Sequence, residues 1–396
     1  MTRDFDLIVF GATGFTGRLV SGYIRTAAES GRVRWAIAGR DRAKLEALGL
    51  GVPIVAGDAL DPAAMRELAA RTKVVCTTAG PFARYGSDLV AACAEAGTHY
   101  CDLTGEVQWM RRMIDAHHDR ARRTGARIVH TCGFDSIPSD LGAWATQQAF
   151  IARFGYPAHK VTAVFGEQSG GFSGGTVASG LETAREASAD KTVAALLANP
   201  YALDPDPDGP HPAAPDERSI GWEPHLEMFT VPFVMAQVNT RVVRRGHALA
   251  GAPWGKDFVY REVMSTPGSA RGFAMAVGIT GALAALGFVM NRPALREQVA
   301  RRAPQPGEGP SAEARARGHW KLRLVAQGDR DDVLIYTVSD RADPGYSSTA
   351  KMLGEAALCL ALEPLTSPGG VQTPAVAMAQ PLLDRLRRAG LVFAVS

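Results

Sequence analysis

The sequence predicts an α/β protein: a doubly wound parallel sheet with helices on both faces, joined to a second, mixed α+β unit. Three observations lead there. Short β-like apolar runs alternate with helical stretches from Phe5 to His130, the rhythm changes after Cys132, and 396 residues exceed one ordinary domain.

The strand candidates are FDLIVF (5–10), RWAIAG (34–39), PIVAG (53–57), KVVCTTA (73–79), THYCDL (98–103) and RIVHTC (127–132). They read as near-continuous apolar runs, as strands buried on both faces do. Between them, DPAAMRELAAR (61–71) opens with Asp and Pro, the residue types that start a helix. After Cys132, SDLGAWATQQAFIARF (139–154) reads as a helix capped by Ser139, and KVTAVFGEQ (160–168) as the first strand of a different sheet. SGGFSGG (169–175) is a turn that needs unusual backbone angles, and LDPDPDGPHPAAPDE (203–217) is a surface loop.

The stretch from Gly272 to Asn291 has no charge and the length of a bilayer span. Its many Gly and Ala residues favour a buried or interfacial helix instead, able to take lipid or dock on a membrane surface. A polar loop follows (301–320), then a hairpin of HWKLRLVAQG (319–328) and DVLIYTVSD (332–340) around GDRD. The chain closes with a helix at 349–362, a Gly/Pro break at 367–370, a helix at about 374–389 and a short strand, VFAV.

Hydrophobic residues at 46% and charged residues at 21% describe a globular protein, and a net charge of +3 is too small to argue for nucleic acid. The five cysteines show no spacing that would hold zinc and read as reduced thiols of a cytoplasmic protein. The apolar run at the N-terminus is too short for a signal peptide, so no export is expected. A homodimer is the base expectation for assembly.

The most informative stretch is the turn Gly11-Ala12-Thr13-Gly14-Phe15-Thr16-Gly17, between the first strand and the first helix. Backbone N–H groups and the positive helix end converge there, as a pyrophosphate requires. Gly11 permits the tight turn, Gly14 a close approach to the ligand, and Gly17 the packing of helix on strand. The spacing is GxxGxxG rather than GxGxxG, a variant found among dinucleotide-binding folds, and its place after the first strand of a βαβ series points to a Rossmann-type site. Where an NAD site carries an acid after the second strand, this chain has Gly39 and Arg40, with Arg42 and Lys44 beyond; NADP(H), with its 2′-phosphate, is favoured. Asp41 is the expected N-cap of the next helix. Asp58, after the third strand, is a candidate for the adenine amino group, with a local helix cap as the alternative. Thr78, Ala79, Gly80 and Pro81, after the fourth, are small or rigid enough to admit the nicotinamide ribose.

The stretches TTAGPFARYGSDLVAACAEAGTHYCDLTGE (77–106) and HTCGFDSIPSDLG (130–142), with GATGFTG at 11–17, resemble the saccharopine dehydrogenase-like oxidoreductases, most closely the branch called trans-acting enoyl reductases. PGEGPS (306–311), DPGYSSTAKMLGEAAL (343–358) and GGVQTPAVA (369–377) extend the resemblance over nearly the whole chain. It implies an NADP-binding Rossmann domain (1–135), an inserted second domain (136–348) and a C-terminal segment (349–396) that returns to the first. It also implies reduction of a carbon–carbon double bond in a lipid or polyketide-derived substrate, free or carrier-bound. Such a reaction needs hydride delivery, stabilisation of an enolate oxygen and a proton for the α-carbon. Tyr85, Asp135 and Ser136, nearest the expected cleft, are the candidates for orientation and proton donation, and Tyr346 is a substrate contact if its segment covers the cleft. Asp102 and Glu106 either bond ribose or substrate or belong to a helix entry. His130 reads as a core histidine, and Cys132 as a packed thiol. Saccharopine chemistry, which would want clustered arginines among Arg153, Arg185, Arg241, Arg244 and Arg245, is one alternative. A non-catalytic NADP(H)- and lipid-binding protein is the other.

Overall fold

The computed structural model describes residues 3–27, 33–168, 174–302 and 311–396. The first sheet takes six strands from the N-terminal third: β1 (Phe5–Phe10), β2 (Trp35–Gly39), β3 (Ile54–Ala56), β4 (Thr72–Thr77), β5 (His99–Cys101) and β6 (Arg127–Val129). They are parallel, in the order β6-β5-β4-β1-β2-β3, so the winding reverses beside β1, where a doubly wound sheet opens its binding crevice. Leu7 and Val9 enter one core while Ile8 and Phe10 enter the other, which is why the run is apolar throughout. The helices Pro62–Ala70, Ser87–Ala96 and Val107–Thr124 cover one face; Phe15–Ala27 and Thr349–Leu362 cover the other. Asp61 caps the first of these, accepting from Ala63 N at 2.9 Å, with Pro62 at its first position.

The second sheet contains β7 (Lys160–Gln168), β8 (Gly221–Glu223), β9 (Met228–Pro232), β10 (Val259–Pro267), β11 (Trp320–Gln327) and β12 (Val333–Asp340). Its β7–β10 pair is parallel and its other pairs antiparallel, the β11–β12 hairpin among them. The helix Ile137–Phe154 leaves the first domain and packs under β11 and β12, where a Cβ on Gly142 would lie 3.2 Å from Val338 Cγ2.

The C-terminal segment divides. Helix Thr349–Leu362 lies across β1, β4 and β5, and β13 (Gly370–Gln372) adds a seventh parallel strand beside β6. The final strand, β14 (Val392–Val395), instead pairs antiparallel with β12 at the edge of the second sheet, which corrects the expectation that the whole segment 349–396 returns to the first domain. Its backbone groups find an open edge there.

Three local expectations also change. Helix Ile137–Phe154 begins before Ser139, which is buried in its first turn, while Ser136 holds the capping position without a side-chain cap bond. The loop expected at 301–320 contains the helix Ala312–Ala316 and follows Pro293–Arg302; 303–310, including most of PGEGPS, lie outside the described residues, as do 169–173 of the glycine turn. The long apolar helix forms as Ala270–Met290, but it is not a core helix: only Gly272 and Ala276 are buried.

Candidate functional site

The glycine turn has the geometry of an anion cradle. Gly11 has φ +81°, a left-handed conformation that suits glycine, and its N–H donates to Ala38 O at 2.9 Å. A Cβ on Gly17 would stand 2.1 Å from Gly11 O, so only glycine lets the helix come this close to the strand. At exposed Gly14 a Cβ would meet only Gly11 O, at 3.4 Å, leaving the outer side free for a ligand. The helix Phe15–Ala27 has no acidic side chain in its first turn, so its positive end is uncompensated. Ala12 is buried beneath the turn, while Thr13 and Thr16 are half-buried at its rim.

The loop after β4 is tied to this turn. Thr78 N donates to Phe10 O at 3.0 Å, Thr78 Oγ1 to Gly11 O at 3.2 Å, and Ala79 N to Thr77 Oγ1 at 3.2 Å. Gly80 is exposed and Pro81 half-buried, and through Thr78 this loop borders the glycine turn. After β2, Gly39 is buried and Arg40 exposed. Arg42 pairs with Glu46 at 3.0 Å and Lys44 with Asp41 at 3.6 Å, whereas Arg40 has no ion-pair partner among the described residues. Asp41 caps its helix by accepting from Lys44 N, as expected. Asp58 is exposed and accepts from Leu60 N at 3.0 Å, the local turn contact that competes with a role toward adenine.

A wide π-type turn, Pro344–Ser348, packs against Phe15 of the glycine turn through Tyr346, and the amides of Tyr346 and Ser347 donate to Asp343. Tyr346 is buried edge-on against Phe15, with ring centroids 4.8 Å apart, and the Arg315 guanidinium lies 5.4 Å from the centre of the Phe15 ring. Tyr346 is therefore brought to the nucleotide turn itself.

The turn after β6 reaches the second sheet. Phe134 N donates to Thr349 Oγ1 at 3.2 Å, and its ring meets Trp320 at 4.9 Å and Phe165 at 5.8 Å; Phe165 packs in turn on Phe233. Asp135 follows, partly buried and without a hydrogen-bond partner among the described residues, and burial pushes its carboxyl up to about 6. Ser136 is corrected from the catalytic set. It is wholly buried, and its hydroxyl donates to Asn239 Oδ1 at 2.9 Å. Asn239 Nδ2 donates to Glu262 Oε1 at 2.5 Å and Tyr260 OH to Glu262 Oε2 at 3.0 Å, a buried network that ties the start of helix Ile137–Phe154 to helix Ala236–Leu249 and β10. Tyr85 is half-buried at the end of the short helix Phe82–Tyr85, and neighbouring Arg84 forms a two-pronged pair with Glu182 of the second domain.

Asp102 and Glu106 take structural roles. Asp102 is fully buried, accepting from Tyr100 OH, Thr104 N and Thr131 N and lying 2.7 Å from His130 Nδ1. Glu106 accepts from Phe82 N at 2.9 Å, Ala83 N at 2.7 Å and Ser179 Oγ at 2.7 Å, capping the helix before Tyr85 rather than its own. Cys132 is buried, and burial holds its thiol protonated. The aromatic group of Phe165, Phe233 and Trp320 was invisible as a site in the sequence, because its members lie on different elements of the second sheet and their surroundings.

Residues 7–129 match the family model of the saccharopine dehydrogenase NADP-binding domain. A Mycobacterium tuberculosis relative is 42% identical over 98% of this chain and 97% of its own length. The trans-acting enoyl reductases of Mycobacterium ulcerans and Mycobacterium leprae are 39% and 38% identical, each over 98% of this chain and 97% of their own. Among solved structures, the saccharopine dehydrogenase (L-Glu forming) of Saccharomyces cerevisiae superposes with a TM-score of 0.55 at 12% identity, covering 98% of this chain and 99% of that one, a likeness of fold. The nucleotide is thus NADP(H), and the cradle of Gly11, Gly14 and Gly17 with unpaired Arg40 fits it.

Proposed function

The chain belongs to the trans-acting enoyl reductase family, within the saccharopine dehydrogenase-like NADP-dependent oxidoreductases, and from that premise we propose that it reduces the carbon–carbon double bond of an apolar enoyl or enone substrate. The observation that carries this reading is the surroundings of the turn after β6: Phe134, Phe165, Phe233 and Trp320 on one side, and the Asp135 carboxyl, pushed up to about 6 by burial.

When bound, NADPH supplies hydride from nicotinamide C4 to the β-carbon. The glycine turn and the positive end of helix Phe15–Ala27 hold the pyrophosphate, and Arg40 the 2′-phosphate. Thr78, Ala79, Gly80 and Pro81 admit the ribose. The aromatic cluster keeps water from the reacting carbons, and Asp135, whose carboxyl holds its proton up to about 6, protonates the α-carbon. Tyr85 orients the substrate oxygen from the neighbouring helix end. Tyr346, packed on Phe15, steadies the nucleotide turn.

A substrate with several carboxylates is disfavoured by where the arginines go. Arg241 pairs with Asp216, Arg244 donates to the carbonyls of Pro200, Ala214 and Tyr260, and Arg245 to those of Leu203 and Val371. They pin the 203–217 loop instead of waiting for anions. The test is multiple-turnover NADPH oxidation with enoyl thioesters of increasing chain length, beside saccharopine-type substrates and a no-substrate control. Turnover that rises with chain length is expected. Turnover confined to amino-acid substrates, or tight NADPH binding with no turnover on either class, would replace this reading with one of its alternatives.

A further inference from the structure

The helix Ala270–Met290 carries no charged side chain beyond Arg271, yet Phe273, Met275, Val277, Leu286 and Phe288 are each 43–55% exposed. Its inner face is made of small residues, Gly272 and Ala276, so the helix presents its large side chains to the outside. Trp222, 49% exposed, extends the same surface through Phe229, whose ring lies 4.9 Å from Trp222 and 5.3 Å from Phe273. A water-facing helix of this composition has no favourable environment in solvent.

Charge identifies what covers it. Arg271 stands at the start, Arg292 at the end over the Phe288 ring, and Arg301 and Arg302 at the end of the next helix, all exposed and without ion-pair partners among the described residues. The acidic residue of that next helix, Glu297, is neutralised by Arg185 at 3.0 Å. An apolar surface with Trp at one edge and basic residues around it matches the boundary of an anionic bilayer, where apolar side chains enter the acyl region and arginines meet phosphates.

The helix, about 31 Å long, has the length to span, but both of its ends are fastened to one folded body. At the start, Thr266 Oγ1 donates to Gly272 O at 2.8 Å and Ser269 Oγ accepts from Gly272 N at 3.2 Å. At the end, buried Arg296 donates to Met290 O and Ala184 O, each at 3.0 Å, and to Ser188 Oγ at 2.8 Å. A spanning helix would carry these two anchorages to opposite sides of the membrane.

We propose that the helix Ala270–Met290, with Trp222, docks this protein on an anionic lipid bilayer and lies in its surface. The inference stands apart from the reductase reading. Flotation of the full chain with phosphatidylglycerol-containing vesicles tests it, against phosphatidylcholine vesicles and a doubly substituted Leu286→Glu/Phe288→Glu variant. Wild type is expected to float with the anionic vesicles, severalfold less with phosphatidylcholine or in high salt, and the variant to lose at least tenfold of its binding. Arg301→Gln/Arg302→Gln should abolish the preference for anionic lipid. Circular dichroism and NADPH titration of the same preparations show that the variants fold and keep nucleotide binding separate. Wild type left unbound, or Glu variants floating equally well, would overturn the proposal. So would a dimer, seen by sedimentation, that Phe288→Glu dissociates without any vesicle binding, since a second copy would then cover the helix.

Discussion

At Arg40 the expected outcome is a change of nucleotide preference. A charge-assisted contact contributes roughly 1.5–3 kcal/mol, so Arg40→Ala should weaken NADPH binding by one to two orders of magnitude in calorimetric titration and leave NADH binding nearly unchanged. Equal loss for both nucleotides would remove Arg40 from the 2′-phosphate. Asp135 predicts a pH profile. Its carboxyl is pushed up to about 6 by burial, and an acid donates only while protonated, so kcat should fall as pH rises through that value. Asp135→Asn should flatten the profile and lower kcat by roughly 10²–10⁴ while NADPH titration stays unchanged; an unaltered profile would exclude Asp135 as the donor. Both residues stood out in the sequence by position: Arg40 directly follows β2, and Asp135 lies in the turn after β6, on the side of the sheet where a doubly wound fold places its ligands. Ser136 was misplaced by the same logic: being next in sequence says nothing of rotation, and the first turn of the helix carries it inward to Asn239.

The glycine turn and its helix act as one element, and Gly17 tests whether their close approach matters. Gly17→Ala would bring a Cβ to 2.1 Å from Gly11 O, so the helix must shift. Overpacking of this kind costs about 1–3 kcal/mol, read as a lowered Tm together with weakened NADPH binding; an undisturbed variant would show that the turn has slack. The short helix Phe82–Tyr85 depends on Glu106 in a way no local pattern reveals. Glu106→Ala leaves the amides of Phe82 and Ala83 without their acceptor, at a cost of about 1–3 kcal/mol. It should lower Tm, and by loosening Tyr85 raise KM for substrate more than Kd for NADPH. Helix boundaries written in local chemistry, such as the Asp61-Pro62 start, were readable in advance. Glu106 was not, since its acceptor atoms cap a helix twenty-odd residues earlier in the chain.

Across the whole molecule, buried carboxyls tie stability to pH. Burial raises Glu262 from 4.5 to about 7 and Asp140 from 3.8 to about 7, against the hydrogen bonds each accepts and, at Glu262 alone, the nearby Arg244. Unfolded, both carboxyls ionise near their ordinary values, so between those values and about 7 the folded state binds more protons. Stability should therefore decline as pH rises through that window and level off above it. Glu262→Gln should shallow the decline in Tm measured from about pH 5 to about pH 8, and a Tm that rises over this range would contradict the assignment. By itself the sequence determined the parallel sheet, the nucleotide turn and the preference for NADP(H), because these rest on strand runs, glycine spacing and charges that act within a few residues of one another, and the family through the stretches at 77–106 and 130–142 that resemble it. Only the tertiary structure decided that β14 closes the second sheet, that three arginines hold a loop, that the Ala270–Met290 helix lies outside the core, and which polar residues are buried. Each of those depends on which distant surface a segment meets, and pairing and burial across hundreds of residues leave no periodic trace in the chain.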